Sequence, residues 1–229
     1  MKIIVVGLGN FGASIATKLT LRGNEVIGID LDRNRVEHFK EKISHTINMD
    51  ATDESTVKGL PLKDTDMVIV AIGEDQGANV MVSALFKNLK VKRLISRSIN
   101  SLHEKVLIAI GVDDIARPEQ ETAERWAKKL CLRGVVDSFE LTKDFSIVEA
   151  DVPEKYVDQQ IGQINLREKH KLLILTVLKK VEEESEIGKS NSKTEAQGVP
   201  STSYVLREED IMVLYGSNED IQHFLKKAE

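Results

Sequence analysis

Three glycines, Gly7, Gly9 and Gly12, follow the β-branched run Lys2–Val6 at the spacing G-x-G-x-x-G. That spacing suits a phosphate-binding turn. Gly7 permits a tight turn out of a strand, Gly9 leaves room for a pyrophosphate, and Gly12 lets the next helix pack close to the sheet. The helix would begin there, with its N–H groups and positive dipole end aimed at the phosphates. An acid answers the glycines. Residues 26–29 form a second apolar run that ends at Asp30, 18 residues beyond Gly12. At about that distance a carboxylate can accept both hydroxyls of an adenosine ribose. The chemistry these residues point to is nucleotide binding. The alternative is a Gly-rich turn in a doubly wound sheet that has lost its ligand.

Elements able to hold these residues alternate along the first 130 residues or so. Strands are expected at Lys2–Val6, 26–30, His45–Asn48, 66–72, 93–96 and Asp114–Ala116. Helices are expected between them at 13–21, 34–42, 77–88 and 102–110, with a short one capped by Asp53. In 77–88 the apolar register is Val80, Ala84, Leu85 and Leu89. Six strands joined by crossover helices make a doubly wound parallel α/β sheet of Rossmann type. The loops at Asp30, Asp50–Asp53, Gly73–Asp75 and Arg97 would share the carboxyl edge of that sheet, where ligands bind. Residues 119–132 read as an amphipathic helix with Ala123, Trp126, Ala127, Leu130 and Cys131 on one face. It packs either on its own sheet or on a second subunit.

Beyond it the pattern changes to a small α+β module. Strands are expected at 139–141, 146–152, 171–180, 204–206 and 210–216, with a short turn-like piece at 159–166 and a closing helix at 218–227. The polar stretch 181–203 reads as a mobile loop or a hairpin insertion. The domains are therefore 1–134 and 135–229.

Composition narrows the function. With 229 residues, 41% apolar, the chain can bury a core of one large or two small domains. Its net charge of -5 gives no basic face for nucleic acid, so no nucleic-acid partner is expected. Cys131 is the single cysteine, so neither a disulfide frame nor a thiolate metal cluster is expected. The chain opens on what reads as a core strand, so no signal peptide is expected. Its longest apolar runs, 67–72 and 172–178, are far below the roughly 20 residues of a membrane span. A soluble cytoplasmic protein is expected.

The order of these marks resembles the regulator-of-potassium-conductance (RCK) family, the cytosolic regulatory subunits of bacterial Trk and Ktr potassium uptake systems. The likeness runs over essentially the whole chain. In the first half it rests on residues 7–12, Asp30, Asp50-Ala51-Thr52-Asp53, Val70-Ala71-Ile72-Gly73-Glu74, and Ile110-Gly111-Val112-Asp113 before Arg117-Pro118-Glu119. In the second half it rests on Ser146-Ile147-Val148-Glu149, Asn165-Leu166-Arg167, and Leu206-Arg207-Glu208-Glu209-Asp210 leading to Tyr215-Gly216.

The resemblance implies an N-terminal nucleotide-binding domain and a C-terminal ligand-sensing domain. It implies a homodimer that assembles into a ring, an octamer or tetramer of dimers, under an integral-membrane potassium channel subunit of the TrkH or KtrB kind. The chain would then lie at the inner face of the cell membrane. Ktr-like members sense ATP against ADP, and Trk-like members also respond to NAD(H). The cofactor contacts so implied are Gly7, Gly9, Asn10, Phe11 and Gly12 at the phosphates, and Asp30 with Leu31 at the ribose. Asp50, Ala51 and Thr52 lie where the family meets adenine. Ala71, Ile72 and Gly73 close the strand end, and Arg97 matches a basic phosphate site. Glu119 matches an acidic site for a divalent ion, Mg2+ or Ca2+, at the dimer interface. Its other reading is a helix-start carboxylate favoured by the macrodipole. Asn165 and Arg167 match a place where some relatives bind cyclic di-AMP, or else mark a surface turn. Asn10 stands where many Ktr-like members carry Arg. A neutral amide makes no charge-assisted bond to a terminal phosphate.

The competing class is an NAD-dependent oxidoreductase, which needs a proton-moving residue beside the hydride. No Tyr-x-x-x-Lys follows Tyr156, Tyr204 or Tyr215. His38, His45, His103, His170 and His223 are scattered, and each reads as a surface or helix residue. No enzyme activity is expected.

Overall fold

In a computed structural model the described residues are 1–131, 134–183 and 191–226. They divide into two compact units, Met1–Glu121 and Thr122–Glu229. The first unit alternates strand and helix: β1 (Lys2–Val6), α1 (Asn10–Leu21), β2 (Glu25–Asp30), α2 (Arg33–Phe39), β3 (His45–Asn48), α3 (Glu54–Val57) and β4 (Met67–Val70). It continues with α4 (Gln76–Asn88), β5 (Leu94–Arg97), α5 (Ser101–Ile110) and β6 (Asp114–Ala116). The division between the units falls inside α6 (Pro118–Cys131).

The six strands form one parallel sheet in the order β3-β2-β1-β4-β5-β6. β1 is central and is followed on either side by β2 and β4. The strand order therefore reverses at its carboxyl end, the switch point where such sheets bind ligands. β1 is buried on both faces. Ile4 and Val6 join one apolar cluster, with Val68, Val70 and Phe86. Ile3 and Val5 join another, with Ala13, Ala16 and Ile69. Burying each such aliphatic side chain contributes about 1.5–3 kcal/mol. A β-branched run with no polar member can satisfy both faces, and this is why it sits at the centre.

One helix buries two polar side chains more deeply than its expected apolar register, of which Leu85 and Leu89 still pack against the core. On α4 the interior positions are Asn79, Val82, Ser83 and Phe86, whereas Val80, Ala84, Leu85 and Leu89 are only half-buried. Asn79 and Ser83 turn inward because β5 offers them a partner in Ser96. The Ser83 hydroxyl donates to Ser96 Oγ (3.0 Å), which donates to Asn79 Oδ1 (3.0 Å).

The second unit carries an antiparallel sheet in the order β10-β9-β11-β8-β7. Its strands are β7 (Val135–Glu140), β8 (Phe145–Asp151), β9 (Leu173–Glu183), β10 (Asn191–Ala196) and β11 (Ile211–Ser217). Helices α7 (Ile161–Ile164), α8 (Leu166–His170) and α9 (Asn218–Lys226) complete it. Val148, Leu166, Leu172, Leu214 and Phe224 belong to its core.

Of the two readings of 181–203, the hairpin is the one found: β9 runs on to Glu183 and pairs with β10. Residues 184–190 of that stretch, and the expected helix ends at 132 and 227, lie outside the described residues. Residues 204–206 form no strand. Val205 makes only an isolated bridge to Gln160, its neighbours bonding the backbone of 158–161, and Tyr204 also engages the turn after it. Its hydroxyl donates to Asp210 Oδ2 (3.1 Å). Burial, reinforced by the Asp210 charge, pushes the Tyr204 hydroxyl up to about 12.

Candidate functional site

A cleft of about 920 Å³ opens at the carboxyl edge of the parallel sheet. That volume lies in the range of small-molecule and cofactor sites. Its floor is the glycine turn. Gly7 sits at φ 93°, in the left-handed region, and its N–H donates to the Ile29 carbonyl (2.7 Å). A Cβ there would meet Ile72 N at 3.1 Å. At Gly12 a Cβ would overlap the Gly7 carbonyl and come within 2.9 Å of Ala71 Cβ, so the helix can approach the strand this closely only at glycine. α1 starts at Asn10, three residues earlier than expected, with Gly9 as its N-cap. No side chain caps it and no acid stands in its first turn. Its first N–H groups therefore remain available to an anion.

Asp30 closes β2 beneath this turn and is almost wholly buried, at 8% exposure. Its Oδ2 accepts the Leu8 N–H (2.6 Å) and its Oδ1 accepts the Asp32 N–H (2.8 Å). The side chain thus fixes the turn, and its remaining lone pairs are left for a ligand's hydroxyls. The sequence suggested only the second role. Asn48 ties the same strand end to β3, donating to the carbonyls of Asp30 (3.0 Å) and Leu31 (2.8 Å). Leu31 lines the cleft with its side chain 71% exposed.

The next wall is the turn after β3. Asp50 Oδ1 accepts the Thr52 hydroxyl (2.7 Å) and the Thr52 N–H (2.9 Å). These bonds, the hydroxyl's first, hold its carboxyl below the ordinary range, so it stays an acceptor. Ala51 between them is buried.

On the other side, Ala71, Ile72 and Gly73 carry the end of β4. The Arg97 guanidinium packs against Gly73 so closely that a Cβ would overlap it. The same group lies over the Phe11 ring (5.7 Å to the centroid) and pairs with Glu119. Asn79 fixes this wall from behind. Its amide donates to the carbonyls of Ile72 (2.9 Å) and Arg97 (3.2 Å). His103, on α5 and buried, contacts Asn79 Oδ1 through Nε2 (3.2 Å), and burial pushes its pKa down.

The fold brings every first-unit candidate to this cleft except Gly12, which lies beneath it as a packing contact. Asn165 and Arg167 belong to the second unit. Asn165, in the left-handed conformation (φ 53°), joins α7 to α8, and both residues are exposed. Sequence reasoning missed Ser14, Asp32 and Arg35, which also line the cleft, and Asn79, which braces it. The Asp32-x-Asn34-Arg35 pattern behind Asp30 was a usable signal: the Asp32 side chain caps α2 by accepting the Asn34 N–H (2.8 Å), and this sets Arg35 one turn on.

The open glycine turn, the uncapped helix end and the carboxylate beside them have the chemistry of a nucleotide site. The cleft does not by itself fit a metal ion. Among the described residues no group of three or more His, Cys, Asp or Glu could hold one, and Glu119 is already paired with Arg97. Among the described residues, too, no helix is long and apolar enough to cross a membrane.

Comparison with known proteins agrees with this geometry. Residues 3–118 match the TrkA-N domain family. The chain is 34% identical over 224 residues to the Ktr system potassium uptake protein C of Bacillus subtilis, covering 98% of this chain and 96% of that one. To the Ktr system potassium uptake protein A of the same organism it is 30% identical over 220 residues, with 96% and 93% covered. In fold it is similar to the crystal structure of the GsuK RCK domain, with a TM-score of 0.65 at 16% identity, over 98% of this chain and 47% of that one. The GsuK channel bound to NAD gives a TM-score of 0.64 at 17% identity, over 98% of this chain and 39% of that one. The chain thus spans less than half of the GsuK chains it matches. A parallel sheet with a glycine turn, an antiparallel second unit and end-to-end likeness to Ktr proteins lead to one conclusion: this chain belongs to the TrkA-N family and is related over its length to the Ktr potassium uptake proteins.

Proposed function

We propose that this chain is a regulatory subunit that binds an adenine nucleotide in the first unit and controls potassium flux through a membrane partner. It would do so without consuming the nucleotide. One observation carries the reading: the uncapped N-terminus of α1 and the Asp30 carboxylate meet in one cleft of a chain that matches Ktr proteins end to end. The residues 1–134 would be the nucleotide-binding domain and 135–229 a ligand-sensing domain. In the cleft, the glycine turn and α1 would hold phosphates, Asp30 the ribose, and the Asp50 turn the base. Phe11 and Arg97 would bound the phosphate side.

Control of flux requires two assembly shapes with different affinity for the ligand. α6 is the element we assign to joining copies. Its Ala123, Trp126, Ala127 and Leu130 are exposed in the single chain, Trp126 at 50% and Leu130 at 76%. A homodimer, and a ring of dimers beneath a potassium channel subunit, would cover them. A divalent ion would need Glu119 from two copies and release of its Arg97 pair. Cyclic di-AMP would fall to Asn165 and Arg167.

The test is potassium uptake by cells that lack their own system and express a Ktr-type membrane subunit. Uptake should depend on this chain and change with the Asp30→Asn substitution. Uptake indifferent to the chain would overturn the reading.

A further inference from the structure

The electrostatics of the cleft leave one side chain without an assigned purpose, and its position gives it one. Six carboxylates line the cleft, and Arg35 and Arg97 are the basic side chains among its described residues. Arg97 is committed to Glu119. Asn10, at the start of α1, contributes no charge. A phosphate chain entering this acidic space needs a cation that can leave its present partners.

Arg35 is placed for that. It projects from α2, on the β2 side, and its NH2 donates to Glu74 Oε1 (3.3 Å) on the loop after β4. In the sheet β1 lies between β2 and β4, so the Arg35–Glu74 pair spans the end of β1, where the glycine turn stands. The NH1 group lies 3.6 Å from where a Gly9 Cβ would sit, beside the space that glycine keeps open. The other pairings are loose: Arg35 NH1 is 3.9 Å from Asp30 Oδ2 and Arg35 Nε is 3.8 Å from Asp32 Oδ2. Pairs this long contribute little, whereas a guanidinium on a phosphate makes short, paired, charge-assisted bonds.

We propose that Arg35 is the phosphate-reading residue of the cleft, a strap held by Glu74 across the glycine turn that transfers to the ligand's phosphate chain on binding. This rests on the nucleotide-binding reading above. Arg35 then sets the preference for phosphorylated ligands over the bare nucleoside, and Glu74 competes against them.

The test is calorimetric titration of the full chain with adenosine, AMP and ADP, in wild type and in the Arg35→Met, Arg35→Lys and Glu74→Gln variants. Arg35→Met should weaken ADP roughly ten- to hundredfold and leave adenosine unchanged. Arg35→Lys should recover part of the loss, because a point charge replaces a fork. Glu74→Gln should tighten ADP about two- to fivefold. The inference is overturned if Arg35→Met leaves ADP affinity intact while wild type binds it. It is equally overturned if adenosine and ADP weaken by the same factor, which would make Arg35 a structural support. Wild type binding none of the three would overturn the nucleotide reading itself, and this inference with it.

Discussion

Replacing Asp30 should damage binding and folding together, by amounts that can be separated. The side chain is 8% exposed and accepts two backbone N–H groups, from Leu8 at 2.6 Å and Asp32 at 2.8 Å. Each bond to a charged group contributes about 1.5–3 kcal/mol. Asp30→Ala loses both and strands the Leu8 N–H, so it should cost roughly 3–5 kcal/mol, moderated where cleft water reaches the freed donors. Asp30→Asn keeps the shape and one acceptor oxygen, so it should cost roughly half as much. For a unit of this size each kcal/mol lowers the melting temperature by about 3–5 °C. Asp30→Asn should therefore melt about 5–12 °C lower and still be folded at room temperature. There, calorimetry with ADP should show affinity reduced about ten- to hundredfold, from one ribose acceptor lost. An Asn variant with a lowered melting temperature and wild-type affinity would make Asp30 a turn brace only. A variant unchanged in both would refute the geometry on which the site is built.

Three further perturbations follow. Gly12→Ala pushes a methyl into the Gly7 carbonyl and should cost about 1–3 kcal/mol in chemical denaturation, with ADP binding reduced. Unaltered stability would mean that α1 can shift freely. Asn79→Ala strips partners from the Ile72 and Arg97 carbonyls and from Ser96, and should cost roughly 3–5 kcal/mol in the same assay; a loss under about 1 kcal/mol would show that the network contributes nothing. His103 is held below its ordinary pKa by burial, and its buried Nδ1 has no partner to receive an added proton. The unfolded chain takes up that proton below about pH 6.5 and the folded chain resists it, so stability is full above that pH and falls below it. Urea unfolding at pH 7.5 and 5.5 should show His103→Gln losing less stability than wild type on acidification; equal losses would rule His103 out as the titrating group.

Much of the fold was legible because its signals are local. Residues 3–6 are β-branched with no polar break, and residues 7 and 12 can only be glycine where the chain doubles back on itself. Asp30 was legible by distance from them. What sequence hid was the polar interior. Asn79 and Ser83 look like the wet side of an amphipathic helix, and only the partner on β5 turns them inward. Tertiary pairing overrode the apolar stripe. Arg35 was hidden for another reason. Its significance lies in Glu74, 39 residues away, which only the strand order brings opposite it. For the hairpin of β9 and β10 the sequence left two readings open, loop or hairpin, since Asn191–Ala196 is as polar as a loop and is held by its ladder.

The central claim is that this cleft binds an adenine nucleotide and returns it unchanged. Calorimetric titration of the full chain with ATP, ADP, NAD and NADH, followed by chromatography of the recovered ligand, tests it most directly. At least one of the four should saturate at one per chain and come back intact. No saturation with any of them, or a chemically altered ligand, would contradict the account.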